Sequence, residues 1–185
     1  MGQAIKKNKV EYIDRVHGNS KGWITRSCID ENGYSQWHYK YLELKETDLT
    51  GENIYITLNT FFKPYRRLEC IKELNALFID LDYYKTKFTK EQIIMNLEGN
   101  YFNKIIPATN YILDSGRGLA LIWLINKVPS QALPLWKAIQ EYLYHQLKEF
   151  GADRQALDAT RVLRVPGRIN SKSKTDRKST RLAKR

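Results

Sequence analysis

Cysteine, histidine and long apolar runs are what this 185-residue sequence has least of. Its two cysteines, Cys28 and Cys70, lie far apart and form no Cys-x-x-Cys pair. With only His17, His38 and His145 beside them, a structural zinc site is not expected. That cysteine usage fits a reducing, intracellular setting. The longest wholly apolar run, Leu119–Ile125, is far too short to cross a bilayer, so no membrane partner is expected. Lys6 and Lys7 are not followed by an apolar core, which argues against a signal peptide. Lys6 also stands where a myristoylation signal would need Ser or Thr.

Positive charge, by contrast, is plentiful. The formal net charge is +11, and the obvious polyanionic partner is nucleic acid, whose affinity comes largely from Lys and Arg displacing counterions. A solvated basic surface is the bland alternative. A hydrophobic content of 42% suffices for one compact domain and is short for two. The last ten residues, Asp176–Arg185, carry five basic residues against one acid and no apolar periodicity. Their run Asp176–Leu182 resembles the translation of a sequencing-adapter oligonucleotide, so this basic tail is expected to be non-native or unstructured. The charge without it still favours nucleic acid.

The elements read as mixed α and β. Val10–Val16, Gly22–Ile29 and Tyr34–Leu44 are rich in aromatic and β-branched residues and read as strands, with hairpin chemistry at Asp30–Gly33. Asn53–Asn59 alternates like a strand, Arg66–Asn75 reads as a short helix, and Ala76–Leu81 as a buried strand. Thr89 can cap a helix from Lys90 to about Tyr101. Asn110–Leu113 and Leu119–Ile125 read as strands around a tight turn. Ser130 is expected to cap the longest helix, Gln131–Phe150, burying Leu135, Ile139, Tyr142, Leu143 and Leu147. Arg161–Val165 is a last short strand, stopped by Pro166 and Gly167.

Chemistry concentrates at three places. In Leu77-Phe78-Ile79-Asp80-Leu81-Asp82, strand periodicity puts both acids on one face at the strand's end. Two carboxylates forced together repel, and a hard divalent cation such as Mg²⁺ or Mn²⁺ relieves that cost. A strand end facing solvent would look the same. Asp114-Ser115-Gly116-Arg117-Gly118 joins two apolar strands; its glycines allow close backbone approach, and Ser115 and Arg117 offer donors to phosphate. A plain hairpin turn is the simpler reading, and the Lys of a Walker A loop is missing. Finally, Asp153 and Asp158 precede Arg161-Val162-Leu163-Arg164-Val165-Pro166-Gly167-Arg168. Guanidiniums beside acids make either a surface ion-pair cluster or a triphosphate clamp.

Together, and in this order, the three resemble the archaeo-eukaryotic primase superfamily, especially the primase-polymerase domains of plasmid and mobile-element replication proteins. Asp80 and Asp82 match its acidic strand motif. Ser115 to Trp123 match its Ser-Gly motif, and Ala152-Asp153 with Arg161 to Gly167 match its third. Ile54–Asn59 and Lys63-Pro64 also look like the plasmid branch, so the resemblance runs from about Ile54 to Asn170. It implies an α+β catalytic fold over residues 1–175: an RRM-like antiparallel sheet with helices, joined to an N-terminal α/β unit. It further implies nucleotidyl transfer on a single-stranded DNA template, with NTP or dNTP as substrate. Asp80, Asp82 and Asp153 would hold two Mg²⁺ or Mn²⁺ ions, with Asp158 a further candidate ligand. Ser115, Gly116, Arg117, Gly118, Arg161, Arg164 and Arg168 would bind phosphates. Tyr83, Tyr84, Lys85 and Lys87 could meet the template, although a tyrosine is as readily a core residue. A helicase or C-terminal priming domain would commonly follow in this family. One departure stands out: Ala120 occupies the place where the family has a phosphate-binding His. Arg117 and backbone amides substitute, or catalysis is weakened, or the domain mainly recognises an origin or nucleotides as an initiator.

Overall fold

The chain makes its first hairpin where Asp30–Gly33 supplies the turn chemistry. In a computed structural model of the protein, which describes residues 11–116 and 118–167, strands β1 (Ile24–Asp30) and β2 (Gly33–Tyr39) pair antiparallel. Asp30 accepts the Asn32 N–H at 2.8 Å, and Gly33 takes φ +109° to close the turn.

Two four-stranded antiparallel sheets follow. The first runs β2-β1-β3-β8, with β3 at Ile54–Thr57 and β8 at Val162–Arg164. The second runs β4-β5-β7-β6, with β4 at Thr60–Phe61, β5 at Ile71–Leu81, β6 at Tyr111–Asp114 and β7 at Leu119–Pro129. Helices α1 (residues 11–17), α2 (Tyr41–Glu46), α3 (Lys90–Asn96) and α4 (Leu133–Leu147) complete the described elements. From β5 onward the succession is β-α-β-β-α-β, the expected RRM-like order. Its last strand, β8, joins the first sheet beside β3, and so carries the Arg-rich segment across the gap between the sheets.

Five local expectations are corrected. Residues 11–17 are helical rather than extended, because Tyr12, Ile13, Val16 and His17 are the buried positions, and that spacing is a helical stripe. The strand expected to reach Leu44 stops at Tyr39; Glu43 accepts the Lys40 N–H at 2.7 Å and starts α2. The helix expected at Arg66–Asn75 is a loop with one 3₁₀ turn, Leu68–Cys70, and β5 already begins at Ile71. There Ile71 and Leu74 gain burial against neighbouring strands, which outweighs the helical propensity of Lys72 and Glu73.

The fourth concerns α4. Its buried face is Trp136, Gln140, Leu143, Tyr144 and Leu147, whereas Leu135, Ile139 and Tyr142 are exposed. The reason lies along one edge of β5. Trp136 Nε1 donates to the Ala76 carbonyl at 2.8 Å, and the Gln140 side chain bonds both the N–H and the carbonyl of Phe78 at 3.0 and 2.9 Å. Burying two polar side chains satisfies an edge that would otherwise be unpaired. Ser130 opens a 3₁₀ turn instead of capping the helix, while Thr89 does cap α3, accepting the Gln92 N–H at 3.3 Å. Residues 176–185 lie outside the described residues. No helix among the described residues is long and apolar enough to cross a membrane.

His17 gives the fold a pH dependence. It is fully buried, its Nε2–H donates to the Thr57 carbonyl at 2.9 Å, and burial pushes its pKa down to about 3. The unfolded chain takes up a proton near pH 6.5 that the folded chain refuses, so this contribution is complete above 6.5 and drains as pH falls toward 3. Between about pH 7.5 and about pH 4.5 the wild type is expected to lose roughly 2–3 kcal/mol through this group. Urea midpoints at the two pH values check it. His17→Asn, though less stable at the higher pH, should have a flatter profile.

Candidate active-site cavity

Asp80 and Asp82 alternate with Leu81, which is fully buried, so both carboxylates leave the same face of β5. Beyond α4 the chain returns to this strand end. The Asp82 N–H donates to the Gly151 carbonyl at 2.8 Å, the Asp153 N–H donates to the Asp80 carbonyl at 2.9 Å, and Leu81 and Ala152 form an antiparallel bridge. Opposed residues of an antiparallel pair share a face, which sets Asp153 beside Asp80. On the other flank Asp80 pairs with Ala120 of β7, and Ala120 pairs with Leu113 of β6. One row across the sheet therefore reads Asp153, Asp80, Ala120, Leu113.

This row floors a cavity of about 160 Å³ whose opposite wall is built by Tyr55, Arg161 and Arg164. Arg161 Nη2 reaches Asp80 Oδ2 at 3.0 Å. Arg164 is the cross-strand partner of Tyr55; its guanidinium lies 4.7 Å from the ring centroid, and it donates to Tyr55 Oη at 2.7 Å and Asn53 Oδ1 at 3.2 Å. Burial lowers the pKa of Arg164, with Tyr55 opposing, and the group stays cationic. Asp80 is shifted up: burial is the main cause, Asp153 and Asp82 push the same way, and Arg161 opposes them. Lys85 pairs with Asp82 at 2.6 Å.

The 114–118 turn supplies the third wall. Asp114 pairs with Lys90 at 3.0 Å and accepts the Gly116 N–H at 2.7 Å, while Ser115 Oγ accepts the Gly118 N–H at 3.0 Å. A Cβ on Gly118 would stand 2.7 Å from the Leu81 carbonyl oxygen, so glycine is what lets this turn close on the acidic strand end.

Seven of the sequence-read residues line one cavity: Asp80, Asp82, Asp153, Ser115, Gly118, Arg161 and Arg164. Gly116 shapes the turn from behind, its carbonyl accepting the Tyr83 hydroxyl at 3.3 Å. Asp158 is exposed and off the cavity; it accepts the Thr160 N–H at 2.9 Å and hydroxyl at 2.6 Å, holding the turn that leads into β8. Arg117 and Arg168 lie outside the described residues. Of the four template candidates, Tyr83 is half-buried against the core, Lys85 is paired with Asp82, and Tyr84 and Lys87 are exposed. Tyr55 and Asn53 were not singled out in the sequence. Tyr55 alternates with buried Ile54 and Ile56, and that alternation was the signal that it points away from the core.

The donor set suits a hard divalent cation, because three carboxylates face one cavity, where burial first, and then the neighbouring Asp153 and Asp82, push the Asp80 pKa up. Among the described residues no three His, Cys, Asp or Glu side chains are gathered as ligands of a single ion. Each acid has instead a partner of its own: Arg161 for Asp80, Lys85 for Asp82, and the Gln155 N–H, at 3.0 Å, for Asp153.

No family model matches the chain. A replication protein of Clostridium perfringens is 74% identical over 175 residues, which are 95% of this chain and 43% of that protein. The chain thus spans less than half the length of this curated relative. The primase-polymerase (AEP) domain of cyanophage S-2L superposes with a TM-score of 0.63 at 16% identity, over 94% of this chain and 87% of the other. The catalytic domain of the primase RepB′, solved with initiator DNA, gives 0.55 at 13% identity, over 95% and 85%.

Proposed function

We propose that this chain, which has the fold of the archaeo-eukaryotic primase domains, is the nucleotidyl-transferring part of a replication protein and adds nucleotides on a single-stranded DNA template. The observation that carries the proposal is the single cavity in which Asp80, Asp82 and Asp153 face Arg161 and Arg164. Two ions of Mg²⁺ or Mn²⁺, held by Asp80, Asp82 and Asp153, would supply charge neutralisation at the attacking hydroxyl and at the leaving pyrophosphate.

The chain's own residues do the rest. Arg161 reaches from the opposite wall to Asp80, so it can exchange that bond for a phosphate oxygen of an incoming NTP or dNTP. Arg164 is already oriented, because Tyr55 and Asn53 hold its fork from behind; such preorganisation makes a guanidinium effective toward phosphate. Ser115 Oγ lines the same cavity; its hydroxyl donates to the Gly118 carbonyl at 3.0 Å and would exchange that acceptor for a phosphate oxygen. Ala120 contributes none, so phosphate binding falls on the arginine wall.

That same alanine, together with basic partners already on Asp80 and Asp82, favours a second reading: an initiator domain that binds origin DNA or nucleotides and joins none. Incorporation of nucleotides on single-stranded template with Mg²⁺ or Mn²⁺ separates the two. Synthesis by the wild type and its loss in Asp80→Ala is the expected result. Template binding without synthesis by either protein would favour the initiator.

A further inference from the structure

The connection between β4 and β5 carries Phe62-Lys63-Pro64-Tyr65-Arg66-Arg67 on the outside of the molecule, with Phe62 58% and Tyr65 56% exposed. Its backbone is tied to itself. The Phe62 N–H donates to the Cys70 carbonyl at 2.7 Å, Tyr65 to Lys63 at 2.7 Å, and Arg67 to Tyr65 at 3.1 Å. Pro64 restricts it further. Two large rings are thus held out in water by a closed loop, against their preference for burial.

Every ring there has a cation beside it. Arg67 lies 5.3 Å from the Tyr65 centroid, Lys72 5.6 Å from Phe62, and Arg66 5.9 Å from Tyr34, itself 49% exposed on β2. Across residues 62–70 three basic side chains stand against one acid, Glu69. Arg66 also fixes where the loop lies: Nε reaches Gln36 Oε1 at 3.4 Å, and Nη1 donates to the Thr160 carbonyl at 3.1 Å. Thr160 is the neighbour of Arg161, whose guanidinium holds Asp80. The surface therefore runs up to the arginine wall of the cavity.

We infer that this loop and Tyr34 form a binding surface for single-stranded nucleic acid, with unpaired bases stacked on Phe62 and Tyr65 and phosphates on Lys63 and Arg67. Rings interleaved with cations suit a chain that alternates flat bases with anionic phosphates, and paired bases would leave the rings nothing to stack on. The destination of the strand, the cavity, rests on the function proposed above; the binding surface does not.

Fluorescence anisotropy of the full chain with a labelled oligo(dT) of about 20 nucleotides, at a fixed salt of about 0.1 M, tests it against an abasic oligonucleotide of equal length. The double variant Phe62→Ala/Tyr65→Ala is expected to weaken oligo(dT) binding about tenfold or more while leaving the abasic strand unaffected. Lys63→Ala/Arg67→Ala should weaken both strands and flatten the salt dependence by a slope of about 1.4. Four exposed side chains are changed, so both variants should melt with the wild type. The inference is overturned if the aromatic variant binds oligo(dT) within twofold of the wild type, or loses the abasic strand or anionic lipid vesicles to the same extent. Incorporation by the wild type, measured in parallel, keeps the two ideas apart. A wild type that binds through these rings but makes no polymer sinks the polymerase reading alone; one that polymerises while the variants bind normally sinks the surface alone.

Discussion

Asp153→Asn is expected to reduce nucleotide incorporation by about a thousandfold or more, as is Asp80→Ala, whereas Asp158→Asn should stay within about threefold of wild type. Both acids precede β8, and spacing to Arg161 favours Asp153, with Asp158 supporting it or pairing with an arginine. The register points the same way. The hydrogen bond from the Asp153 N–H to the Asp80 carbonyl makes these two residues cross-strand neighbours with side chains on one face, over the cavity. Asp158 spends both carboxylate oxygens on Thr160. Stability should split the other way. Asparagine at 153 keeps the oxygen that accepts the Gln155 N–H, so the melting temperature should hardly move. Asparagine at 158 loses a charged acceptor for the Thr160 hydroxyl and should cost about 1 kcal/mol. Steady-state incorporation with Mn²⁺ and thermal melts on the same preparations measure both. If Asp158→Asn lost the activity and Asp153→Asn kept it, the acid assignment drawn from the register would be wrong.

What the sequence revealed, and what it hid, follows from the range of each interaction. Asp80 and Asp82 were legible as a pair because period-2 geometry is local: any strand through Leu77–Leu81 puts them on one face. The Gly turn at 115–118 was legible for the same reason. Asp153 was ambiguous because its place depends on how the chain returns after a helix, a contact some 70 residues away. Apolarity alone points to the wrong face of α4. Gln140 and Trp136 are turned inward by the unpaired backbone of β5, a demand that no helical pattern contains. Val10–Val16 reads as a strand because Val, Tyr and Ile favour strands on average, while the spacing of Tyr12, Ile13 and Val16 lets one helical face cover the core. Nothing local marks Tyr55, since its importance lies in Arg164, its partner on the neighbouring strand β8.

Gly151→Ala should disable the site without touching an acid. Gly151 has φ +83°, and a Cβ there would stand 2.8 Å from the Asp82 carbonyl oxygen and 2.9 Å from Thr86 Cγ2. The first of these is backbone and cannot swing aside. The chain would have to lift away from β5, loosening the Asp82–Gly151 and Asp80–Asp153 hydrogen bonds and carrying the Asp153 carboxylate off the row it shares with Asp80. A displacement of about 1 Å is enough for a loss on the order of a hundredfold in incorporation, and the strained backbone should cost about 1–3 kcal/mol of stability. Gly33→Ala is the control. It meets similar backbone strain at φ +109°, but a Cβ there has nothing within 4 Å and the hairpin lies away from the cavity. It should lower the melting temperature and leave activity near wild type. Equal activity in the two variants would mean that Asp153 is not held in place by its pairing with the end of β5.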